Sequence, residues 1–294
     1  MNLNTEWYPM RLVDVVMHPV MKRGLVLVLL MTSIATAEEG MQYPLAAATG
    51  TDGTVYVADR DLPGVWKFAD NRWSIYFRGS RKFRTPLNAV RCLAIDHQGK
   101  LLAGDSATRE IYRFDDSGQP QPLTKGHVGI PMALAVAKDG TIFASDIEIH
   151  RIVRIPAEGG EPTEVAELAA TRGLAIEEGG SLIAVCHGNN SVIRLSSDGK
   201  QQTVLIKGRP FQFSHHVVIG PKGELYIADG YARTVWKIEE GAPPVGLIAG
   251  GPLENPVGLA WSGSDLLIVD PHAKAVLRRS TEGTLIRLGE ETPE

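Results

Sequence analysis

Leu45-Ala46-Ala47-Ala48, then Asp52-Gly53, then Val55-Tyr56-Val57-Ala58-Asp59 and Val65-Trp66-Lys67-Phe68, is the stretch that decides the fold, because the chain repeats it six times. The unit is an apolar strand, a turn with Gly, a second apolar strand ending in Asp, a gap and a third strand. It returns as Cys92–Ile95 with Gly99, Asp105 and Ile111–Phe114, and as Ala133–Val136 with Gly140, Asp146 and Ile152–Ile155. Gly173–Ile176 with Gly180, His187 and Val192–Leu195 is the fourth copy, and His216–Ile219 with Gly223, Asp229 and Val235–Ile238 the fifth. Gly258–Trp261 with Asp270 and Val276–Arg279 is the sixth. Read at positions 59, 105, 146, 187, 229 and 270, the strand ends step by 46, 41, 41, 42 and 41 residues. A period in the low forties made only of strands is the mark of propeller blades.

Alternation at period two within each unit indicates half-buried strands, and one such sheet has no way to cover both faces alone. Six sheets packed radially cover each other and leave only short edges. A fourth strand is legible in most units, as at Trp73–Tyr76, Val204–Ile206 and Leu285–Leu288. The expected fold is therefore all-β, a six-bladed β-propeller of four-stranded antiparallel blades. Blade six owns four strands, and no N-terminal segment reads as a strand that would complete it, so the sequence leaves the closure of the ring open.

The first residues follow another pattern. Met21-Lys22-Arg23-Gly24 is a positive start, Leu25 to Ile34 is apolar apart from Thr32 and Ser33, and Ala35-Thr36-Ala37 is a small-x-small site. These three regions in order read as a secretory signal with cleavage after Ala37. The expectation is a leader over residues 1–37, a misassigned start over 1–20, and a propeller over 38–294 that is secreted or periplasmic. The apolar run is short for a membrane span, so no stable span is expected after cleavage. An uncleaved anchor is the alternative. The chain has a net charge of −4, and the leader removes three basic and two acidic residues, so the remainder stays acidic. Nucleic acid is not an expected partner.

Cys92 and Cys186 are the only two cysteines and fall in blades two and four, which are not neighbours; two buried free thiols are expected. There is no phosphate-binding Gly loop, no nucleophile elbow, no paired CxxC and no His-Glu-x-x-His.

The phrases Asp52-Gly53-Thr54-Val55-Tyr56-Val57-Ala58-Asp59 and Lys222-Gly223-Glu224-Leu225-Tyr226-Ile227-Ala228-Asp229, each followed by a strand with a basic residue, resemble the NHL family of six-bladed propellers. The resemblance implies the fold over nearly all of residues 38–294 and leaves function open, since such propellers include enzymes, binding modules and scaffolds. Gluconolactonase-like hydrolases of this architecture hold a divalent metal with Glu, Asn and Asp placed just before the inner strands. Here those funnel positions are Leu45, Arg91, Met132, Arg172, His215 and Val257, without a carboxylate or amide. Peptidyl-amidoglycolate lyases hold zinc with three His at the same places, of which this chain has one, in Ser214-His215-His216. No metal or other cofactor is expected; calcium or zinc is the alternative.

What recurs in every blade is expected to be structural, and what departs from the repeat at the rim is expected to be functional. Asp59, Asp105, Asp146, Asp229 and Asp270 recur and read as caps for the turns that follow them; a ring of calcium ligands is the bolder alternative. With strand one running down and strand two up, the Asp loops and the junctions between blades share one rim. That rim carries Arg78, Arg81, Lys82, Phe83 and Arg84 in the first junction, Lys125 and His127 before blade three, and Lys207, Arg209, Phe211 and Phe213 before blade five. Arg91, Arg172, His187, His215 and His216 are the expected ligand-binding residues, with the two Arg gripping an anion. The function this predicts is an exported propeller that binds an anionic small molecule or glycan at its loop rim. A gluconolactonase-like hydrolase or lyase in the funnel is one alternative, and a protein docked on the rim of an interaction scaffold is the other.

Overall fold

The computed structural model describes residues 40–290. The expected leader therefore lies outside the described residues. Among the described residues there is no helix, and the strands form six four-stranded sheets, each a simple antiparallel meander in chain order. The fold is a six-bladed β-propeller. The inner strands are Pro44–Thr49, Val90–Ile95, Pro131–Val136, Thr171–Ile176, Ser214–Ile219 and Gly258–Ser262. Each touches the inner strand of the next blade, and the sixth touches the first.

The apolar alternation seen in the sequence produces six separate core clusters, one at each blade–blade interface. Phe114 and Leu87 fill the space between blades one and two, and Phe143 and Leu195 that between blades three and four. The turn glycines Gly53, Gly99, Gly140, Gly180 and Gly223 adopt φ from +76° to +88°, the left-handed conformation that the hairpin demands.

Among the described residues the ring closes without an exchanged strand. Blade six takes all four strands, Gly258–Ser262, Asp265–Asp270, Ala275–Arg279 and Leu285–Arg287, from one continuous stretch. The seam with blade one is a side-chain cluster of Ala47, Val57, Trp66, Ala260, Leu267 and Val269, joined by Trp73 Nε1 donating to Leu288 O at 3.0 Å. Gly258 is required there, because a Cβ at this position would stand 2.7 Å from the Leu45 carbonyl oxygen.

The recurrent aspartates do more than cap the turn that follows. Each is at most 2% exposed and accepts bonds from two stretches of backbone at once. Asp59 takes Gln42 N and Tyr43 N from the incoming segment, Asp61 N and Leu62 N from the following turn, and Trp66 Nε1. Asp229 takes Gln212 N, Phe213 N, Ala232 N and Trp236 Nε1. Asp270 takes Glu254 N, Asn255 N, His272 N and Ala273 N. Each carboxylate thus ties the segment entering its blade to the loop between strands two and three.

In blade four the reading of His187 as the sixth strand end is corrected by one residue. Pairing sets Cys186 opposite Thr171, as it sets Asp59 opposite Pro44, Asp105 opposite Val90 and Asp229 opposite Ser214. The capping place in blade four is thus held by Cys186, whose Sγ lies 3.3 Å from Thr171 Oγ1. His187 is the first residue of the loop. The capping Asp stands six residues after the turn glycine in blades one, two, three and five, and the same count from Gly180 reaches Cys186 and not His187. Cys186 and Cys92 are buried free thiols, and burial pushes them up to about 11 and about 12.

Candidate functional site

Five of the six funnel positions share one local cause. In the first five blades the inner strand is irregular at its top: Pro44 and Ala46 face consecutive residues of strand two, as do Val90 and Cys92, Pro131 and Ala133, Thr171 and Gly173, and Ser214 and His216. The skipped residues are Leu45, Arg91, Met132, Arg172 and His215. A bulge releases a residue from the ladder and re-aims its side chain. These five, with Val257 from the head of blade six, all line one cavity of about 180 Å³. Tyr43, Arg60 and Asn255 complete its wall, and His216 borders it.

The cavity is electropositive: among the described residues no carboxylate lines it, and the charge of Asp105 offsets only part of the burial and the Arg60 charge that act on Arg91. Arg91 Nε donates to Ser106 Oγ at 2.8 Å, and the Ser106 hydroxyl is in turn held by Ala89 O at 3.2 Å. Arg172 Nε is buried and has no hydrogen-bond partner among the described residues. The Arg172 guanidinium lies 4.6 Å from the Phe213 ring centroid, and that of Arg60 lies 3.9 Å from the Tyr43 centroid. Among the described residues Arg60 pairs with Asp61, while neither Arg91 nor Arg172 has an ion-pair partner. Burial, then the charge of Arg60, lowers the pKa of Arg91; burial, then the charge of Arg91, lowers that of Arg172. Both guanidinium groups stay charged, so these shifts express how unfavourable the bare pair is.

The histidines divide into three environments. His215 faces the cavity, and burial followed by the Arg172 charge pushes it down to about 3, so it is neutral. Its ring centroid lies 4.7 Å from that of Phe213, which also stacks on the exposed Tyr231 at 4.6 Å. His216 turns toward blade six, where Nδ1 accepts from Leu259 N–H at 3.3 Å; burial holds it down at about 4. His187 stands beside the channel, not in it. Its Nε2 is 2.8 Å from Ser214 O, its ring meets the edge of Phe213, and burial lowers its pKa. It lines a separate recess of about 10 Å³ with Arg209 and Phe211. The structure therefore brings Arg91, Arg172 and His215 into one cavity with His216 at its edge, and sets His187 behind Phe213.

Four contributors escaped the sequence reading, the first of them Tyr43, whose ring carries the Arg60 guanidinium. Arg60 follows directly on the capping Asp59. Ser106 follows directly on Asp105. Asn255 is 8% exposed and its Oδ1 has no partner. A Cβ on Gly230 would lie 2.2 Å from that Oδ1 and 3.2 Å from His215 Nε2, so glycine keeps this corner open. The signal for Arg60 and Ser106 was their place immediately after a recurrent Asp.

A divalent metal of the kind implied by the gluconolactonase or lyase resemblance does not fit these residues. The cavity offers one unengaged imidazole and no carboxylate, and among the described residues no three His, Cys, Asp or Glu side chains are grouped as ligands. The recurrent aspartates spend their oxygens on backbone N–H groups. A second cavity, about 800 Å³, is an open groove on the opposite face, between the turns of blades five and six, lined by Tyr226, Trp261, Lys222 and Arg279.

No family model and no curated protein sequence matches the chain. Solved structures do. A gluconolactonase from Xanthomonas campestris superposes with a TM-score of 0.69 at 17% identity, covering 84% of this chain and 87% of that one. Virginiamycin B lyase from Staphylococcus aureus gives 0.64 at 16% identity, covering 86% of each chain. Nidogen, in its complex with laminin, gives 0.64 at 15% identity, covering 81% of this chain and 89% of that one. A gluconolactonase, a lyase and nidogen share this ring, and at such identities the likeness establishes the fold.

Proposed function

We propose that this propeller is an exported binding protein for a small organic anion, which seats in the channel mouth between Arg91 and Arg172. One observation carries the reading: two half-buried guanidinium groups face a cavity with no carboxylate partner, and one buried Nε is left without any acceptor. Burying a charge without a partner is costly, and a ligand carboxylate or phosphate supplies the missing acceptors in fork geometry. Ser106 and Phe213 hold the two donors in place before the ligand arrives. An acidic sugar meets the same chemistry.

The test is calorimetric titration with inorganic phosphate and with a panel of carboxylates. Arg172→Lys and Arg91→Lys are each expected to weaken binding about tenfold, because an ammonium gives up the paired donors. The melting temperature is expected to stay put. Unchanged affinity in both variants overturns the proposal.

A catalytic reading has one observation behind it. His215 is a neutral imidazole beside Arg172 at the cavity wall. In a lactone hydrolase it would take the proton of the attacking water, and in a lyase a proton of the substrate, with the bound anion offsetting the Arg172 charge that helps hold its pKa down. Turnover of a lactone panel that vanishes in His215→Gln would establish this reading; binding without turnover would leave the first.

A further inference from the structure

The junction between blades one and two is the longest of the five inter-blade connections, with residues 79–89 between its flanking strands against 123–130, 168–170, 208–213 and 250–257 in the others. The other blades show that the fold does not require this length. No acidic residue occurs from Arg72 to Ile95, while six basic ones do: Arg72, Arg78, Arg81, Lys82, Arg84 and Arg91. At the tip, Arg81, Lys82, Phe83 and Arg84 are exposed in succession, and Phe83 is 83% exposed.

The loop is built, not slack. Gly79 N donates to Pro63 O, Arg81 Nη2 to Asp61 O, Asn88 Nδ2 to Lys82 O, and Thr85 Oγ1 to the carbonyls of Ser80 and Lys82. Arg84 adopts φ of +60°, a left-handed conformation that a non-glycine residue rarely takes, and its guanidinium lies 5.2 Å from the Phe83 ring centroid. An aromatic side chain is thus held out in water on a rigid base and ringed by cations.

We infer that this loop docks the propeller on an acidic phospholipid bilayer, with Phe83 entering the headgroup–acyl boundary and Arg81, Lys82 and Arg84 on anionic headgroups. The shape favours lipid over a protein partner. A stable protein interface covers about 800 Å² on each side, whereas one Phe ring on a convex tip offers about 200 Å². A soft interface accepts a convex tip without a matching pocket, and each cation close to an acidic bilayer strengthens partition about fivefold. The loop shares its rim with the channel, and the Asp61 it grips is next to Arg60 of the cavity wall. Docking therefore turns the channel mouth toward the lipid. This inference does not depend on the anion-binding reading.

The experiment places an environment-sensitive nitrobenzoxadiazole label on Phe83→Cys in the full chain; the native thiols are buried and pushed up to about 12 and about 11, so they stay unlabelled. With vesicles of phosphatidylcholine and phosphatidylglycerol, emission is expected to shift to the blue and rise roughly twofold, with quenching by nitroxide-labelled lipid. Vesicles of phosphatidylcholine alone are expected to leave it unchanged. The label reports position 83 only, so lipid contacts elsewhere in the chain do not enter. Lys82→Gln with Arg84→Gln is expected to weaken the emission change's vesicle dependence about twentyfold, and the difference is expected to shrink as salt rises. An unlabelled Phe83→Ser chain with an unchanged melting temperature is expected to co-sediment less with acidic vesicles. Emission indifferent to acidic vesicles, equal response to neutral ones, or indifference to the charge changes overturns the inference.

Discussion

Two rings of residues lie side by side at the top of this propeller, and they behave oppositely. The outer ring is five buried carboxylates, Asp59, Asp105, Asp146, Asp229 and Asp270, nearly the same in identity, burial and bonding from blade to blade. The inner ring is the set of funnel residues, Leu45, Arg91, Met132, Arg172, His215 and Val257, which share a place and almost nothing else. A bulge separates the two: the residue before it pairs opposite the carboxylate, and the residue within it leaves the ladder. The fold holds the first ring constant because each carboxylate collects donors from two loops. It leaves the second ring free, because a released side chain answers only to the channel.

This contrast breaks first at Asp59. Asp59→Ala would orphan five donors, and the expected loss is about 3 kcal/mol, above the 0.5–2 kcal/mol of an ordinary cap. Urea denaturation measures it, and a loss below about 1 kcal/mol would mean the carboxylate ring is not what joins the loops. The next effect is acid sensitivity. His215 is pushed down to about 3 in the folded chain and His216 to about 4, so the unfolded chain binds more protons below about pH 6.5. The neutral histidines' contribution is whole above that pH and is lost as pH falls toward their folded values. His215→Gln is expected to recover up to about 2 kcal/mol of the stability lost between pH 7 and pH 5, in paired denaturation curves. Third comes Arg172→Lys, with about tenfold in anion affinity and none in melting temperature.

Cys186 sharpens the contrast, because blade four has a thiol where the others have a carboxylate. Cys186→Ala is expected to cost about 1 kcal/mol, well short of Asp59→Ala, since little more than one weak sulfur contact and a small void are at stake. The smallest effect belongs to Met132→Leu, within about 0.5 kcal/mol in stability and without change in anion affinity. A large effect there would show that the inner ring is under structural constraint after all.

The sequence revealed the blades because burial at every interface imposes the same two-residue alternation, and a period repeated six times is hard to miss. The same alternation hid the site. Bulges carry no composition signal, so nothing in the local residues announced that Arg91, Arg172 and His215 turn into the channel; their positions came from likeness to other propellers. His215 and His216 are neighbours on a strand and serve different surroundings, because the bulge takes His215 out of the ladder in which His216 stays, and a motif reading merges the two. Arg60 and Ser106 went unnoticed because residues after a capping Asp read as ordinary loop. Cys186 holds the carboxylate's place without being a carboxylate, so the chemistry of the repeat breaks there although its spacing from Gly180 does not.

The seam between blades one and six carries a consequence for how the ring comes apart. The blades meet there through a side-chain cluster, an indole-to-carbonyl bond and the edge-on contact of Tyr43 with His272, and among the described residues no strand is shared between blades one and six. Every other pair of adjacent blades has a covalent tether as well. The seam is thus a closed gate with only a latch. Native-state hydrogen exchange should find its lowest-energy openings at Pro44–Thr49 and Gly258–Ser262. A permuted chain, joined by a short linker across the seam and opened at residues 208–213, should fold to the same ring with its gate moved to another pair of blades.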